Sequence, residues 1–275
     1  MWVLNNGFLE IRKISVLLAF LLLGELTALY LDAGSGSSDG ASSIAETRGA
    51  SKSPVLVCYY GNWGAYSPED VDPELCTHIV VAFAQIIDNE LREFLEKDFM
   101  TYAKLVGLKS KNKNLKILLA VGGATASKPF TGMVRTKANM DQFVKSSIVF
   151  LRKHKFDGLD LDWEYPEDSG NNVRFTKLCA ALKQAFDGES GTLPKLELTA
   201  AVSAGKWRID KSYETAKLGQ YLDMLHLMSY DLAGGWTTEA GTGHQTTMAT
   251  GPGNKVPYAV KVWIDGGFPA NKVFA

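Results

Sequence analysis

From residue 54 onward, short β-branched apolar runs alternate with amphipathic stretches at helical spacing, and this alternation admits few architectures. The runs lie at 55–60, 78–84, 116–121, 156–164, 196–202, 224–231 and 272–275, and helical patterns lie near 95–111, 138–154, 171–187 and 256–266. Within 138–154, Met140, Phe143, Val144, Ser147 and Leu151 fall along one stripe, as a helix with one buried face requires. The strand runs are continuously apolar rather than alternating, which is the pattern of a parallel sheet covered by helices on its faces. Strand–helix alternation implies βα units joined by right-handed crossovers. Seven strand starts approach the eight of a closed (β/α)8 barrel. An open doubly wound sheet is the competing architecture. Only the pair Gly122-Gly123 stands where a dinucleotide fold would place Gly-x-Gly-x-x-Gly after its first strand, so that reading is weak.

Residues 1–53 read differently. Arg12 and Lys13 precede the apolar run 14–23, the arrangement of a secretory signal. Apolar character extends to residue 31, interrupted by Glu25, so a single-pass anchor is the alternative for residues 1–31. Residues 32–53, rich in Gly, Ser and Ala, read as a flexible linker. Either reading of the apolar segment sends residues 54–275 to the secretory lumen or the extracellular side, with the membrane touched only through that segment if it is not cleaved. The chain carries 29 Lys and Arg against 30 Asp and Glu, so no charge excess points to nucleic acid. The 3 cysteines form no Cys-x-x-Cys, and the four histidines have no metal or triad spacing; neither metal nor cofactor is expected. Cys58 and Cys76 are the natural disulfide pair in an oxidising compartment, with three reduced core cysteines as the alternative. Cys179, inside a helical pattern, reads as a buried thiol. His78 and His226 lie in strands and read as core residues.

The most informative run is Phe156-Asp157-Gly158-Leu159-Asp160-Leu161-Asp162-Trp163-Glu164-Tyr165-Pro166. Strand side chains alternate between faces, so Asp160, Asp162 and Glu164 share one face and Leu159, Leu161 and Trp163 the other. The apolar set packs under helices; the acidic set lines the inner face and climbs to its C-terminal mouth, where barrel active sites lie. Three ionised carboxylates on a buried face repel one another and are poorly solvated, so at least one is expected to hold a proton near neutrality. A protonated carboxyl is what general acid catalysis requires. Glu164, outermost and longest, is the candidate donor. Asp162 sits one pleat below it, and Asp160 tunes Asp162 from deeper in the sheet. Asp157, of opposite parity, is assigned a structural role. A divalent metal site and a solvated acidic edge are the alternatives.

This stretch resembles the signature of glycoside hydrolase family 18, the chitinases. The segments Leu56–Trp63, Leu75–His78 with Val81–Ala84, Leu118–Gly123, Ala200–Gly205 and Leu227–Asp231 resemble further strands of that family in the same order. The resemblance covers roughly 54–275 and implies a (β/α)8 TIM barrel, here incomplete. The chain stops at Ala275, inside what resembles strand seven, so the last strand and a small α+β insertion are expected to be missing. The resemblance further implies retaining, substrate-assisted hydrolysis of β-1,4-linked N-acetylglucosamine polymers. Glu164 would act as acid and base, Asp162 would orient the acetamido group, Tyr230 would bond its oxygen and Asp231 would contact the same sugar. Tyr59, Trp63, Phe83, Gly122, Gly123, Tyr165, Met228 and Trp236 match cleft positions of the family, with core packing the alternative for the aromatics. The implied partner is chitin or chitooligosaccharide.

One residue departs from the family pattern: Ala124 follows Gly123 where Trp is usual, which removes a sugar platform. The rival readings are a non-catalytic chitin-binding lectin and an endo-β-N-acetylglucosaminidase. The lectins of this family usually lack the acidic Glu, which is present here as Glu164.

Overall fold

The computed structural model describes residues 54–167, 170–189, 191–235 and 243–275. The expected signal or anchor segment, the linker and Trp236 lie outside them. Eight strands form one sheet: β1 (Val57–Gly61), β2 (His78–Ile87), β3 (Glu90–Glu93), β4 (Lys116–Gly122), β5 (Gly158–Asp162), β6 (Glu197–Ser203), β7 (Met224–Met228) and β8 (Val273–Phe274). Seven are parallel, in the order β1-β2-β4-β5-β6-β7-β8. β3 pairs antiparallel with β2 through a turn at Asp88 and Asn89, both in the left-handed region. The helices are α1 (Asp98–Gly107), α2 (Lys128–Met133), α3 (Lys137–His154), α4 (Asn171–Asp187), α5 (Lys206–Ser212), α6 (Thr215–Tyr221) and α7 (Val256–Asp265). Among the described residues no helix is long and apolar enough to cross a membrane.

Each of the seven expected strand runs contains a parallel strand. The order is sequential, as in a barrel, with no reversal of the doubly wound kind. A single contact shows the curl. Tyr59 of β1 hydrogen-bonds His226 of β7 at 2.8 Å, although five strand steps separate them in the sheet. In a flat sheet those strands would stand roughly 24 Å apart. The sheet is therefore rolled into part of a (β/α)8 barrel.

Alternation along the strands divides the side chains as the sequence implied. Ile79, Val81, Leu119, Val121, Leu159 and Leu161 join the main core, where they pack with Phe143, Leu151, Phe175 and Leu182 from the helices. Val80, Ala82, Leu118 and Ala120 form a second, smaller cluster with Val57 and Phe83 on the inner face. α3 buries Met140, Phe143, Ser147 and Leu151 of the expected stripe. It starts at Thr136, whose side chain accepts the Asn139 N–H at 3.1 Å, and ends in Arg152 and Lys153, cations that suit the negative end of its dipole. α4 buries Phe175, Leu178, Cys179, Leu182 and Phe186, and the Cys179 thiol is free.

α2, α5 and α6 were not anticipated. At six or seven residues each they are too short to display a helical period. The carboxylate strand is also shorter than its apolar run, and hydrogen-bonded pairing stops at Asp162.

Two aspartates clip the N-terminal ends of strands. Asp157 accepts the Ile117 N–H at 2.8 Å and pairs with Lys109 at 2.8 Å. Asp223 does the same further along, accepting the Leu198 N–H at 2.9 Å and pairing with Lys183 at 2.9 Å. The Cys58–Cys76 disulfide ties β1 to the loop before β2, with Cα atoms 6.2 Å apart.

Candidate active site

The acidic strand is positioned by glycines on its neighbour. Gly122 of β4 lies opposite Asp162 of β5, and a Cβ on Gly122 would stand 2.2 Å from the Asp162 carbonyl oxygen. A Cβ on Gly123 would stand 2.7 Å from the Phe83 ring. Both residues have positive φ, 108° and 80°. Only glycine lets the backbone approach this closely in this conformation. The Gly123 N–H then reaches the Asp162 carbonyl at 2.8 Å.

Ser127, which sequence reasoning missed, completes the support. Its hydroxyl lies 2.9 Å from the Gly123 carbonyl and 3.1 Å from the Asp162 carbonyl, and it accepts the Glu164 N–H at 2.8 Å. One buried hydroxyl thus fixes the chain where it leaves β5, from Asp162 to Glu164. Nothing in the sequence distinguishes this serine from its neighbours, because its partners are backbone atoms of two other segments.

On the inner face Asp160 is fully buried and well satisfied. It accepts from Tyr59 Oη at 2.8 Å and from Thr199 Oγ1 at 2.5 Å, and His226 Nδ1 lies 3.1 Å away. Tyr59 is 45% exposed through its ring, while its hydroxyl is sunk among these groups. Burial, followed by the Asp160 charge, pushes that hydroxyl well above the usual tyrosine range. His226 is buried, as its strand position implied, but it belongs to the acid network rather than to an inert core.

Asp162 differs from Asp160. It is 4% exposed, and its Oδ1 has no hydrogen-bond partner among the described residues. Burial raises its carboxyl to about 8, with Asp160 and Glu164 adding to the effect. Glu164, half-buried, is raised in the same direction by burial, offset by a hydrogen bond from Tyr165 and by Arg208. Desolvation therefore outweighs mutual repulsion as the cause, and the larger shift falls on Asp162 rather than on the outermost acid.

Around the mouth, Trp63 is 71% exposed and stacks on Phe83, with centroids 5.6 Å apart and planes 10° from parallel. Tyr230 and Asp231 are exposed beyond β7, and Met228 ends that strand on the inner side. Tyr165 lies beneath the Arg208 guanidinium, 4.1 Å from its ring centroid. Burial and the neighbouring Glu164 raise the Tyr165 hydroxyl to about 12. Arg208 also pairs with Glu167. Non-proline cis peptide bonds occur at Ala82–Phe83 and Glu164–Tyr165. Asp157 is remote from this group, at the opposite end of β5 in its strand-clipping pair. Among the described residues no cluster of three or more His, Cys, Asp or Glu is arranged to hold a metal ion.

A row of acids thus runs along the inner face of a curled parallel sheet to Glu164, just past the C-terminal end of β5. Residues 55–275 match the family of glycosyl hydrolases family 18, and the chain belongs to it. The chain is 41% identical over 235 residues to Chitinase-3-like protein 2 of Homo sapiens, which covers 79% of this chain and 60% of that protein. It is also 41% identical over 239 residues to Chitotriosidase-1 of Mus musculus, covering 79% and 51% respectively. Human YKL-39, a pseudo-chitinase with retained chitooligosaccharide binding properties, has a solved structure that superposes with a TM-score of 0.75 at 41% identity, covering 80% of this chain and 65% of that one. The chain thus spans between about half and two thirds of the length of these relatives.

Proposed function

We propose that the protein is a chitinase that cleaves β-1,4 bonds between N-acetylglucosamine units with retention, using the substrate's own acetamido group as nucleophile. The observation that carries this reading is the pair at the end of β5: Asp162, buried with a raised carboxyl and an Oδ1 without a partner among the described residues, two residues before the half-buried Glu164. Glu164, whose carboxyl is raised by burial, gives its proton to the glycosidic oxygen as the C1–O bond breaks. The acetamido carbonyl oxygen attacks C1 and closes a positively charged ring. Asp162 Oδ1 accepts the acetamido N–H, so that the nucleophile is oriented. Glu164, now a carboxylate, takes a proton from water. That water attacks C1 from the face the leaving group left, and the ring opens with the original configuration. Asp160, held by Tyr59 and Thr199, anchors the base of the row. Tyr230 and Asp231 hold the acetamido oxygen and the same sugar. Tyr59, Trp63, Phe83, Gly122, Gly123, Tyr165 and Met228 form the rest of the cleft, with Trp63 offering a flat apolar face to a sugar ring. No cofactor enters. The disulfide supports a lumenal or extracellular location.

Ala124 favours a second reading, a lectin that binds chitooligosaccharides without cleaving them, as YKL-39 does. Incubation with chitohexaose separates the two. The chitinase reading expects shorter oligomers whose new reducing ends are initially β. Binding without products supports the lectin, and initial α products overturn the retaining mechanism.

A further inference from the structure

The end of the sheet opposite the cleft carries charge that hydrolysis does not use. Lys109, Lys113, Lys116, Lys153, Lys155 and Asp157 line a hollow of about 680 Å3 between the α1–β4 and α3–β5 connections, at the N-terminal ends of the strands. Among the described residues Asp157 is the only carboxylate in this lining, and it is already engaged by Lys109 at 2.8 Å. Lys113, Lys116, Lys153 and Lys155 form no ion pair among the described residues. Lys113, Lys153 and Lys155 are exposed, and Lys116 is half-buried. By contrast Lys137, Lys206, Lys217 and Lys261, away from the hollow, each pair with an acid on the same helix or beside it. In a chain of net charge -1, four unpaired ammonium groups around one concavity are a segregated charge. Low-dielectric walls focus such a field and draw in a multiply charged anion.

We propose that this hollow binds a strand of sulfated polysaccharide. The volume falls within the ~300–1,000 Å3 range of ligand-sized pockets, so the surface is cupped rather than flat as a bilayer would require. Nucleic acid would want free rings for its bases. The one ring in the lining, His154, is already stacked on Phe99 at 4.9 Å between centroids. The disulfide implies an oxidising compartment, and the polyanions met outside the cell are sulfated and uronic-acid glycans. Lysines act here as point charges toward sulfate groups, without the bidentate geometry of arginine.

The test titrates a heparin octasaccharide into the intact protein at ~0.15 M salt, beside the variants K113E/K153E and K217E/K261E. The second variant makes the same charge change on α6 and α7, away from the hollow. The expected result is a loss of at least about ten-fold for K113E/K153E, with a shallower salt dependence, and less than about two-fold for the control. K113Q/K153Q, with an unchanged melting temperature, should show an intermediate loss. Equal losses in both reversed variants would overturn the site. Equal affinity of the unmodified protein for charge-matched duplex DNA or for phosphatidylserine vesicles would overturn the assignment to a sulfated glycan.

Discussion

Removing the charge option at Asp162 should make the protein more stable while disabling it, and the structure sets the size of the effect. In the unfolded chain an aspartate titrates near 3.8, whereas burial holds Asp162 protonated up to about 8. Between those values the folded state binds more protons than the unfolded state, so stability falls as pH rises. The stability conferred by this group is fully present below the unfolded value and is lost as pH climbs through the folded one. At about 1.36 kcal/mol per unit, the three units from pH 4 to pH 7 amount to about 4 kcal/mol as an upper bound. Asp162→Asn cannot ionise, and among the described residues Oδ1 has no partner whose bond the amide would break. The variant should therefore match the unmodified protein at pH 4 and exceed it by about 1–4 kcal/mol at pH 7.5. Urea unfolding at both pH values measures this. A difference independent of pH, or a variant less stable at pH 7.5, would refute the claim that burial of this carboxyl is held against its ionisation.

Two further outcomes follow from the neighbours of Glu164. Ser127→Ala leaves the buried Glu164 N–H without its acceptor, which should cost about 1–3 kcal/mol and lower kcat more than it raises KM; Ser127→Thr, retaining the hydroxyl, should recover part of both. Turnover should fall at high pH as Glu164 deprotonates, at a pH above that of an ordinary glutamate because burial raises it. Arg208 holds that value down, so Arg208→Met should move the high-pH limb of kcat/KM upward; an unmoved or lowered limb would refute the electrostatic link.

Much of this was legible because two periods differ. The period-two alternation of Asp160 and Asp162 against Leu159 and Leu161 announced which face of the strand is the inner one. The stripes of α3 and α4 showed which helix sides cover the outer face. Supports that act through space were invisible. Ser127 bonds backbone atoms of two segments, His226 reaches Asp160 across the curl, and Asp223 repeats the strand clip of Asp157, yet none of these carries a local pattern. The sequence also attributed the raised carboxyls chiefly to repulsion. Depth matters more: Asp162 lies deeper than Glu164, so desolvation acts on it more strongly.

The central claim is that Glu164 is the proton donor of a sugar-binding cleft. Glu164→Gln keeps the shape and polarity of the side chain but has no carboxyl proton to give. Chitotetraose turnover and binding should be measured side by side on the variant and the unmodified protein. The account predicts a loss of turnover of about 10²-fold or more with affinity changed by less than a few-fold. Turnover within a few-fold of the unmodified protein would contradict it.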